Sequence, residues 1–223
     1  MKILFDHSKF HRSKLIVMKA ISTLILATLL IGLAGCSTAL IEDASIESPK
    51  GITAFQQYML DEINLARTKP AEYAELRLKA DKAVSADNGS YLYLKNLTPT
   101  GAITFNYSLN LSASNYANLL SENNLAEHNA DGTPLKRAIR AGFTGTSTGE
   151  NIAIASASSF NAVLDPRIAA IGFVRILIID EGIANLGHRM ILLSSKYTTI
   201  GIGYTQNSGD PMLNYVVQDF GNL

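Results

Sequence analysis

Two histidines, His128 and His188, are the residues best suited to chemistry once the first 35 residues are set aside. Each stands beside small, polar or turn-forming residues rather than on an apolar face. Glu150 lies between them at the start of a predicted strand, and Asp180 and Glu181 shortly precede His188. Imidazoles and carboxylates serve as general acids and bases and as ligands for zinc and similar ions. Two imidazoles and one or two carboxylates could therefore converge in one site.

The same residues also allow a purely structural interpretation. A histidine that is hydrogen-bonded to an acid can hold loops together without binding or catalysing anything. Two histidines without a short spacing between them are in themselves a weak sign of a metal site. We expect Asn151 and Arg189 to brace loops, and Arg67 either to pair with a nearby acid on the surface or to brace the first helix.

A serine-hydrolase motif occurs in residues 145–149, which match G-x-S-x-G, with Asp180 and His188 following in the order of acid and base. A nucleophile elbow needs a buried strand before the serine and a helix after it. Here the preceding residues 137–141 are basic and predicted to be helical. We therefore expect a loop rather than a serine-hydrolase site.

Helical periodicity dominates the chain after residue 50. Phe55, Met59, Ile63 and Ala66 form an apolar stripe on a helix that ends before Pro70. Further helices are predicted over residues 71–80, over 109–120, from Pro134 through Ala141, and over 159–179, where Pro166 either breaks the helix or delays its start. These elements must position the loops that carry the histidines.

Strand-forming runs are concentrated near the end of the chain. Residues 198–204 and 213–220 are rich in β-branched and aromatic residues, and the four residues Asn207-Ser208-Gly209-Asp210 between them are typical of a hairpin. Shorter strands are predicted at residues 152–155 and, within a polar loop, at Tyr91–Leu94. The chain is therefore predicted to be α+β and to end in an antiparallel hairpin.

Seven short motifs follow one another in a fixed order: Ile63–Arg67, Glu127–Asn129 with Asp131-Gly132, Arg140–Phe143, Gly149–Ala153, Gly187–Arg189, Tyr197–Gly203 and Tyr215–Gly221. Each motif is weak alone. Their order and spacing resemble the CAP superfamily of cysteine-rich secretory, antigen 5 and pathogenesis-related proteins, in its cysteine-poor bacterial form. The resemblance covers about residues 55–221. It implies a three-layer α-β-α sandwich with a central antiparallel sheet.

The resemblance also implies a cleft that holds two histidines and two acids. His128, Glu150 and His188 match this pattern directly. Family members commonly carry the second acid in the helix before the final histidine, near a tryptophan, and this chain has no tryptophan. The candidates for the fourth position are Asp165, Asp180 and Glu181, of which the last two are favoured.

What the resemblance implies about ligands is broad, since the superfamily has been linked to sterol or lipid binding, to metal binding and to proteolysis. We expect a binding module whose cleft takes a metal ion, a lipid or a peptide. In the first case His128 and His188 would hold a divalent metal such as zinc. The alternative is a metal-assisted or acid–base hydrolase acting on an envelope substrate, with Glu150 as the base.

The N-terminal region carries a separate signal. Leu33-Ala34-Gly35-Cys36 resembles a bacterial lipobox, and it follows a basic residue, Lys19, and the apolar stretch 21–33. In lipoproteins the peptidase cuts before the cysteine, which then carries the acyl chains. Residues 1–35 are thus expected to be a signal peptide, for which Met18 is the better start. Lipidated Cys36 would anchor the protein in the cell envelope, in the outer membrane if the host is diderm.

Composition limits the remaining possibilities. The chain has 223 residues, with 19 Lys and Arg against 19 Asp and Glu, so no net charge attracts nucleic acid. Cys36 is the only cysteine, which leaves none for a disulfide. About 188 residues follow the signal peptide, enough for one domain. We expect residues 36–50 to be the lipidated cysteine and a tether, and residues 51–223 to be the folded domain.

Overall fold

The computed structural model describes residues 51–81, 89–207, 209–210 and 213–223. The predicted signal peptide, Cys36 and the predicted tether lie outside these ranges. Within them, no helix combines the length and the apolar character needed to cross a bilayer.

Seven α-helices and four strands make up the described part of the chain. In chain order they are α1 (Ala54–Thr68), α2 (Pro70–Tyr73), α3 (Ser90–Asn96), β1 (Thr104–Phe105), α4 (Tyr107–Asn123), α5 (Pro134–Arg140), β2 (Thr148–Ser156), α6 (Pro166–Ile179), α7 (Gly187–Leu192), β3 (Thr199–Gln206) and β4 (Leu213–Gly221). A π-helical turn (Ala74–Leu78) and a 3₁₀ turn (Lys79–Asp81) continue α2.

The four strands form one sheet in the order β1-β3-β4-β2. The long strands β2, β3 and β4 are antiparallel, and the two-residue strand β1 pairs in parallel with β3 at the edge. The predicted hairpin is confirmed, since β3 and β4 pair from Thr199 opposite Gly221 to Gln206 opposite Asn214. Strand β2 is the other edge and is longer than the predicted 152–155.

The sheet lies between two helical layers, as expected for a three-layer α-β-α sandwich. One face packs Ile200, Ile202, Val216 and Phe220 against the buried residues of α1 and α6. The other face packs Tyr215 and Val217 against α4, whose buried stripe consists of Ala113, Tyr116, Ala117 and Leu120. The α+β fold class is therefore confirmed.

Two glycines of β3 let α4 lie directly on the sheet. A Cβ at Gly201 would come 2.0 Å from the backbone of Leu109 and Asn110, and a Cβ at Gly203 would come 2.2 Å from the carbonyl oxygen of Ala113. Because no side chain fits in this gap, the helix backbone approaches the strand backbone closely. This contact fixes α4, which carries residues of the site described below.

Arg67 connects the end of α1 to two loops. The side chain is 1% exposed and donates hydrogen bonds to the backbone carbonyls of Gly101, Leu192, Ser194 and Tyr197 at 2.8–2.9 Å. Burial lowers the pKa of the guanidinium. Of the two roles considered for Arg67, bracing the helix is therefore correct, and a surface ion pair is not.

The predicted strand at Tyr91–Leu94 is wrong, because these residues belong to helix α3. A four-residue run of aromatic and aliphatic residues does not distinguish a strand from a short buried helix. Only Leu94 of this run is buried, while the hydroxyl of Tyr91 donates to Glu75 at 2.6 Å. Contacts with the 70–78 segment thus decide the conformation.

The two ends of the sheet differ in what surrounds them. One end, which we call the N-terminal end because α1 begins there, holds Tyr204 of β3 and Asn214 of β4. Phe55 contacts Tyr204 with ring centroids 5.0 Å apart, and Asn214 donates to the carbonyl of Phe160. The opposite end, which we call the histidine end, holds the start of β2 and the end of β4.

Candidate functional site

Glu150 and His128 form the first of two acid–histidine pairs. Glu150 is the third residue of β2, and its side chain is 1% exposed. Its Oε1 lies 2.7 Å from Nδ1 of His128, and its Oε2 accepts a hydrogen bond from Nη2 of Arg137. The imidazole of His128 is 49% exposed. A buried carboxylate thus orients a ring that faces solvent.

Arg137 of α5 organises the loop that carries His128. Its Nη1 donates to the carbonyl oxygens of His128, at 2.9 Å, and of Gly132. Its guanidinium carbon lies 3.4 Å from the ring centroid of Tyr116, a cation–π contact. The side chain is 4% exposed, so its positive charge balances Glu150 inside the domain. Arg137 therefore ties α5, the 128–132 loop and β2 together.

A second buried acid, Asp219, lies beside Glu150. The two are directly paired across β2 and β4, and Oδ2 of Asp219 accepts a hydrogen bond from the hydroxyl of Ser112 at 2.6 Å. Burial, followed by the negative charge of Glu150, raises the pKa of Asp219 well above its usual value. This arrangement favours the neutral form of the Asp219 carboxyl group.

Asp180 and His188 form the second pair. Asp180 follows α6 with a left-handed backbone (φ 58°), which Asp tolerates better than most residues. Its Oδ1 lies 2.7 Å from Nδ1 of His188, and its Oδ2 accepts from the backbone N–H groups of His188 and Arg189 at 3.0 and 3.4 Å. Leu186, which precedes α7, cannot cap that helix with its own side chain, so Asp180 does so.

Arg189 and Asn151 hold this second pair in place, as expected for loop-bracing residues. Arg189 is 2% exposed and donates to the carbonyls of Ile178 and Ile179 at the end of α6. Burial is the main cause that lowers its pKa. Asn151 donates through Nδ2 to the backbone carbonyl of His188 at 3.2 Å. The loop between α6 and α7 is thereby fixed to β2.

The edge strand β2 separates the two pairs. Glu150 and Asn151 are consecutive, so their side chains point to opposite faces of the sheet. Glu150 contacts His128 and Arg137 on the α4 side, and Asn151 contacts the loop of His188 on the other side. The loops that carry the two histidines therefore approach one strand from its two faces, and each histidine has its Nδ1 against an acid.

The zinc site predicted at His128 and His188 is not visible as a cluster. In the ranges that the structure describes, no three His, Cys, Asp or Glu side chains lie close enough together to hold a metal ion. Each histidine does present the arrangement that metal-bound histidines commonly show, with one ring nitrogen on a carboxylate and the other available. Metal binding stays a prediction, and it would need further ligands.

A cavity of about 280 Å³ opens between α4 and α5. Its lining consists of Leu111, Ser112, Asn115, Tyr116, Asp131, Arg137, Arg140 and Ala141. Ser112, Tyr116 and Arg137 also surround the Glu150 pair, but neither histidine lines the cavity. At its rim Arg140 pairs with Asp131, and both side chains are substantially exposed.

Comparison with known proteins decides the family. The family model described as "CAP: Cysteine-rich secretory protein family" matches residues 60–220. The chain belongs to the CAP family. A search of curated proteins finds no match.

The solved structures to which the chain is similar are distant in sequence. An outer surface protein from Borrelia burgdorferi is 18% identical, with a TM-score of 0.47, and the match covers 75% of this chain and 92% of that chain. The structure of BmVAL-1 is 16% identical, with a TM-score of 0.48, and the match covers 78% of this chain and 81% of that chain. An extracellular protein containing a SCP domain from Bacillus anthracis str. Ames is 19% identical, with a TM-score of 0.42, and the match covers 64% of this chain and 40% of that chain.

The structure of this CAP domain separates the three candidates for the fourth cleft position. Asp180 contacts His188, whereas Glu181 is exposed and Asp165 caps α6 by accepting from the N–H of Ile168 at 2.9 Å. The five proposed cleft residues thus give two pairs, and Glu181 belongs to neither. The G-x-S-x-G segment leads into β2 with no helix behind its serine, so it forms no nucleophile elbow.

Three residues of the site are not among those predicted from the sequence. The sequence places Arg137 only in a basic helix, Tyr116 only in the helix predicted over 109–120, and Asp219 only in the last motif. A charged residue within a buried strand pattern, as at Asp219 in residues 213–220, is a signal that could have found one of them. The contact of Arg137 with Glu150 depends on how α5 packs against β2.

Proposed function

We propose that this CAP domain is a binding module of the bacterial cell envelope, held to a membrane through lipidated Cys36, and that His128 and His188 contact its ligand. The proposal rests on the acid–histidine pair, an arrangement that occurs twice in this domain. Each Nδ1 lies 2.7 Å from a carboxylate whose side chain is 1% exposed. Because a carboxylate accepts the Nδ1 proton, Nε2 of the neutral ring is left as an acceptor or metal ligand.

The chemistry of the site suits three classes of ligand. An imidazole Nε2 can ligate a divalent metal, or it can accept a hydrogen bond from a lipid hydroxyl or a peptide N–H. His128 is 49% exposed and the side chain of His188 18%, so both are open to a ligand. A metal would use the histidines directly, with water completing its coordination.

Calorimetric titration of the full chain with Zn²⁺ is the test. We expect zinc binding by the parent, weakened in His128→Ala and in His188→Ala and lost in the double variant. Glu181→Ala, which changes an exposed acid beside Asp180, is the matched control and should bind like the parent. Binding that survives the double variant would contradict the proposed role of the histidines. A parent that binds no zinc would direct the search to lipid and peptide ligands.

The anchor has its own test. The parent should incorporate labelled palmitate and sediment with membranes, and Cys36→Ser should do neither. Ser37→Ala is the control, because it leaves the cysteine in place. Retention of Cys36→Ser in the membrane fraction would contradict the anchor. Ser37 rather than Asp after the cysteine favours the outer membrane in a diderm host.

The alternative is a hydrolase, and the Asp180–His188 pair favours it because a base oriented by an acid is the arrangement that general-base catalysis uses. Glu150 is poorly suited as the base, since both its oxygens are already bonded. Turnover of envelope peptides or lipids that His188→Ala abolishes would support this alternative. No turnover on any of these substrates would count against it.

A further inference from the structure

Three apolar side chains stand out from the surface at the start of α6. Val163 is 71% exposed, Leu164 83% and Ile168 56%. They lie within six residues of one another, on the segment that leads from β2 into α6. We call these three residues the apolar loop. A cluster of large, exposed apolar side chains indicates a surface that binds a protein or a membrane.

The apolar loop is held in shape by its own hydrogen bonds. The side chain of Asn161 accepts from the backbone N–H groups of Val163 and Leu164 at 3.0 and 2.9 Å. Asp165 caps α6 by accepting from the N–H of Ile168 at 2.9 Å. The turn therefore satisfies its polar backbone while its apolar side chains point outward. These hydrogen bonds hold the three apolar side chains in a fixed arrangement.

The segment is also fastened to the core just before this turn. Phe160 packs on Phe173 with ring centroids 5.4 Å apart, and Ala162 is 8% exposed. Phe173 in turn contacts Phe55, at 6.1 Å between centroids. Phe55 is the second residue of α1, four residues after Gly51. The apolar loop thus lies at the N-terminal end of the domain, where the chain arrives from Cys36.

The distance along the chain limits where this end can be. Fifteen residues lead from Cys36 to Gly51, and they can span at most about 50 Å. A lipid on Cys36 would therefore keep the N-terminal end of the domain within about 50 Å of the bilayer. Contact of the apolar loop with that bilayer would then be an intramolecular event, for which a small apolar surface suffices.

We propose that Val163, Leu164 and Ile168 form a membrane-contact surface, which enters the boundary between headgroups and acyl chains of the bilayer that holds Cys36. The proposal rests on the lipid anchor of the proposed function. The exposed Arg167 beside Ile168 suits anionic headgroups at this boundary. A bilayer fits better than a second protein, because the tether brings the apolar loop to the membrane whatever other proteins are present.

The membrane contact would orient the histidine end. Helix α6 has 14 residues and is about 21 Å long. The apolar loop stands at its first turn, and Asp180, the partner of His188, follows its last. With the first turn at the bilayer and α6 upright on it, His188 would lie on the far side of the domain from the lipid. The domain would thus present this histidine to the aqueous side rather than to the lipid.

Site-specific labelling of the full-length, membrane-inserted protein tests the inference. Acylated Cys36 has no free thiol, so a cysteine introduced at Leu164 is the sole target for an environment-sensitive fluorophore. Leu92→Cys is the matched control. Leu92 is a leucine 65% exposed on α3, and its neighbour Tyr93 contacts Met190 of α7 through its hydroxyl, at the other end of α6.

We expect the label at Leu164→Cys to show blue-shifted emission, to be quenched by a lipid-borne quencher, and to be several-fold less quenched by iodide than the label at Leu92→Cys. Equal iodide quenching at both positions, with palmitate still on Cys36, would overturn the membrane contact and leave the anchor standing. A blue shift that vanishes when the protein is diluted in excess lipid would point to a second copy and overturn it too. Loss of the palmitate label would overturn both the anchor and this inference.

Discussion

Asp180 holds two atoms of His188 at once, the ring Nδ1 at 2.7 Å and the backbone N–H at 3.0 Å. The same carboxylate therefore fixes the imidazole and begins helix α7. Its left-handed backbone places it where the chain turns from α6 toward the histidine. Orientation of the ring and stability of the loop thus depend on one side chain.

Replacing Asp180 should destabilise the domain by an amount that depends on the replacement. Asp180→Ala removes the helix cap and puts a less tolerant residue at φ 58°, so we expect a loss of about 2–3 kcal/mol. Asp180→Asn keeps an acceptor and tolerates the left-handed backbone, and it should cost less than about 1 kcal/mol. Urea unfolding measures both. Glu181→Ala should stay within about 0.5 kcal/mol of the parent, and a similar loss there would contradict the role given to Asp180.

Arg137 and Arg140 lie in the same helix but should differ strongly in their effect on stability. Arg137→Met leaves buried Glu150 without its cationic partner, which costs about 3–5 kcal/mol. Arg140→Met breaks a pair whose side chains are 58% and 46% exposed, so the loss should be about 1 kcal/mol or less. Denaturant unfolding of the two variants makes the comparison.

A double variant tests whether the Arg137 effect comes from the buried charge. Arg137→Met combined with Glu150→Gln removes both charges, so the combined loss should be smaller than the sum of the two single losses. Strict additivity would show that Arg137 acts through its packing on Tyr116 instead.

The raised pKa of Asp219 predicts a specific pH dependence of stability. The folded protein holds this proton more tightly than the unfolded chain, whose aspartates titrate near pH 3.9. The contribution of Asp219 to stability is therefore fully present below about pH 4 and is lost as the pH rises through the folded pKa. Asp219→Asn cannot ionise at this position. As the pH rises through the folded pKa of Asp219, the free energy of unfolding of this variant should therefore increase relative to that of the parent.

Urea unfolding of the parent and Asp219→Asn from pH 3.5 to 8 measures this difference. Glu122→Gln removes an exposed acid from α4 and is the control. The gap between parent and Asp219→Asn should widen in favour of the variant with rising pH, and the gap between parent and control should not. A gap that stays constant with pH would contradict the raised pKa.

Local patterns in the sequence predicted most of the fold. The apolar stripe from Phe55 to Ala66 predicted α1, and the late start that was one of two predicted effects of Pro166 is the observed start of α6. The hairpin predicted from the turn residues near 207–210 is the observed pair of β3 and β4. Each of these signals depends on neighbours within a few positions along the chain. The exception, α3, depends on contacts with a distant segment.

The site was predictable in its members but not in its arrangement. The motifs picked out His128, Glu150 and His188, yet nothing local indicated that β2 would stand between the loops that carry the two histidines. That separation follows from the alternation of Glu150 and Asn151 at a sheet edge, and the edge position of β2 is known only once the strand order is known. Contacts across the fold, such as that of Asp219 with Ser112, are equally invisible in the sequence.

The two glycines of β3 should be essential for the packing of α4. Gly203→Ala places a Cβ about 2.2 Å from the carbonyl oxygen of Ala113, and neither backbone can yield without moving α4 off the sheet. We expect a loss of about 3 kcal/mol or more in denaturant unfolding. Gly101→Ala is the matched control, because a Cβ there meets no atom within 4 Å, and it should change stability by about 0.5 kcal/mol at most. If Gly203→Ala were as well tolerated as Gly101→Ala, α4 would not rest directly on β3, and its Ser112 and Tyr116 would not be held where they meet Asp219 and Arg137.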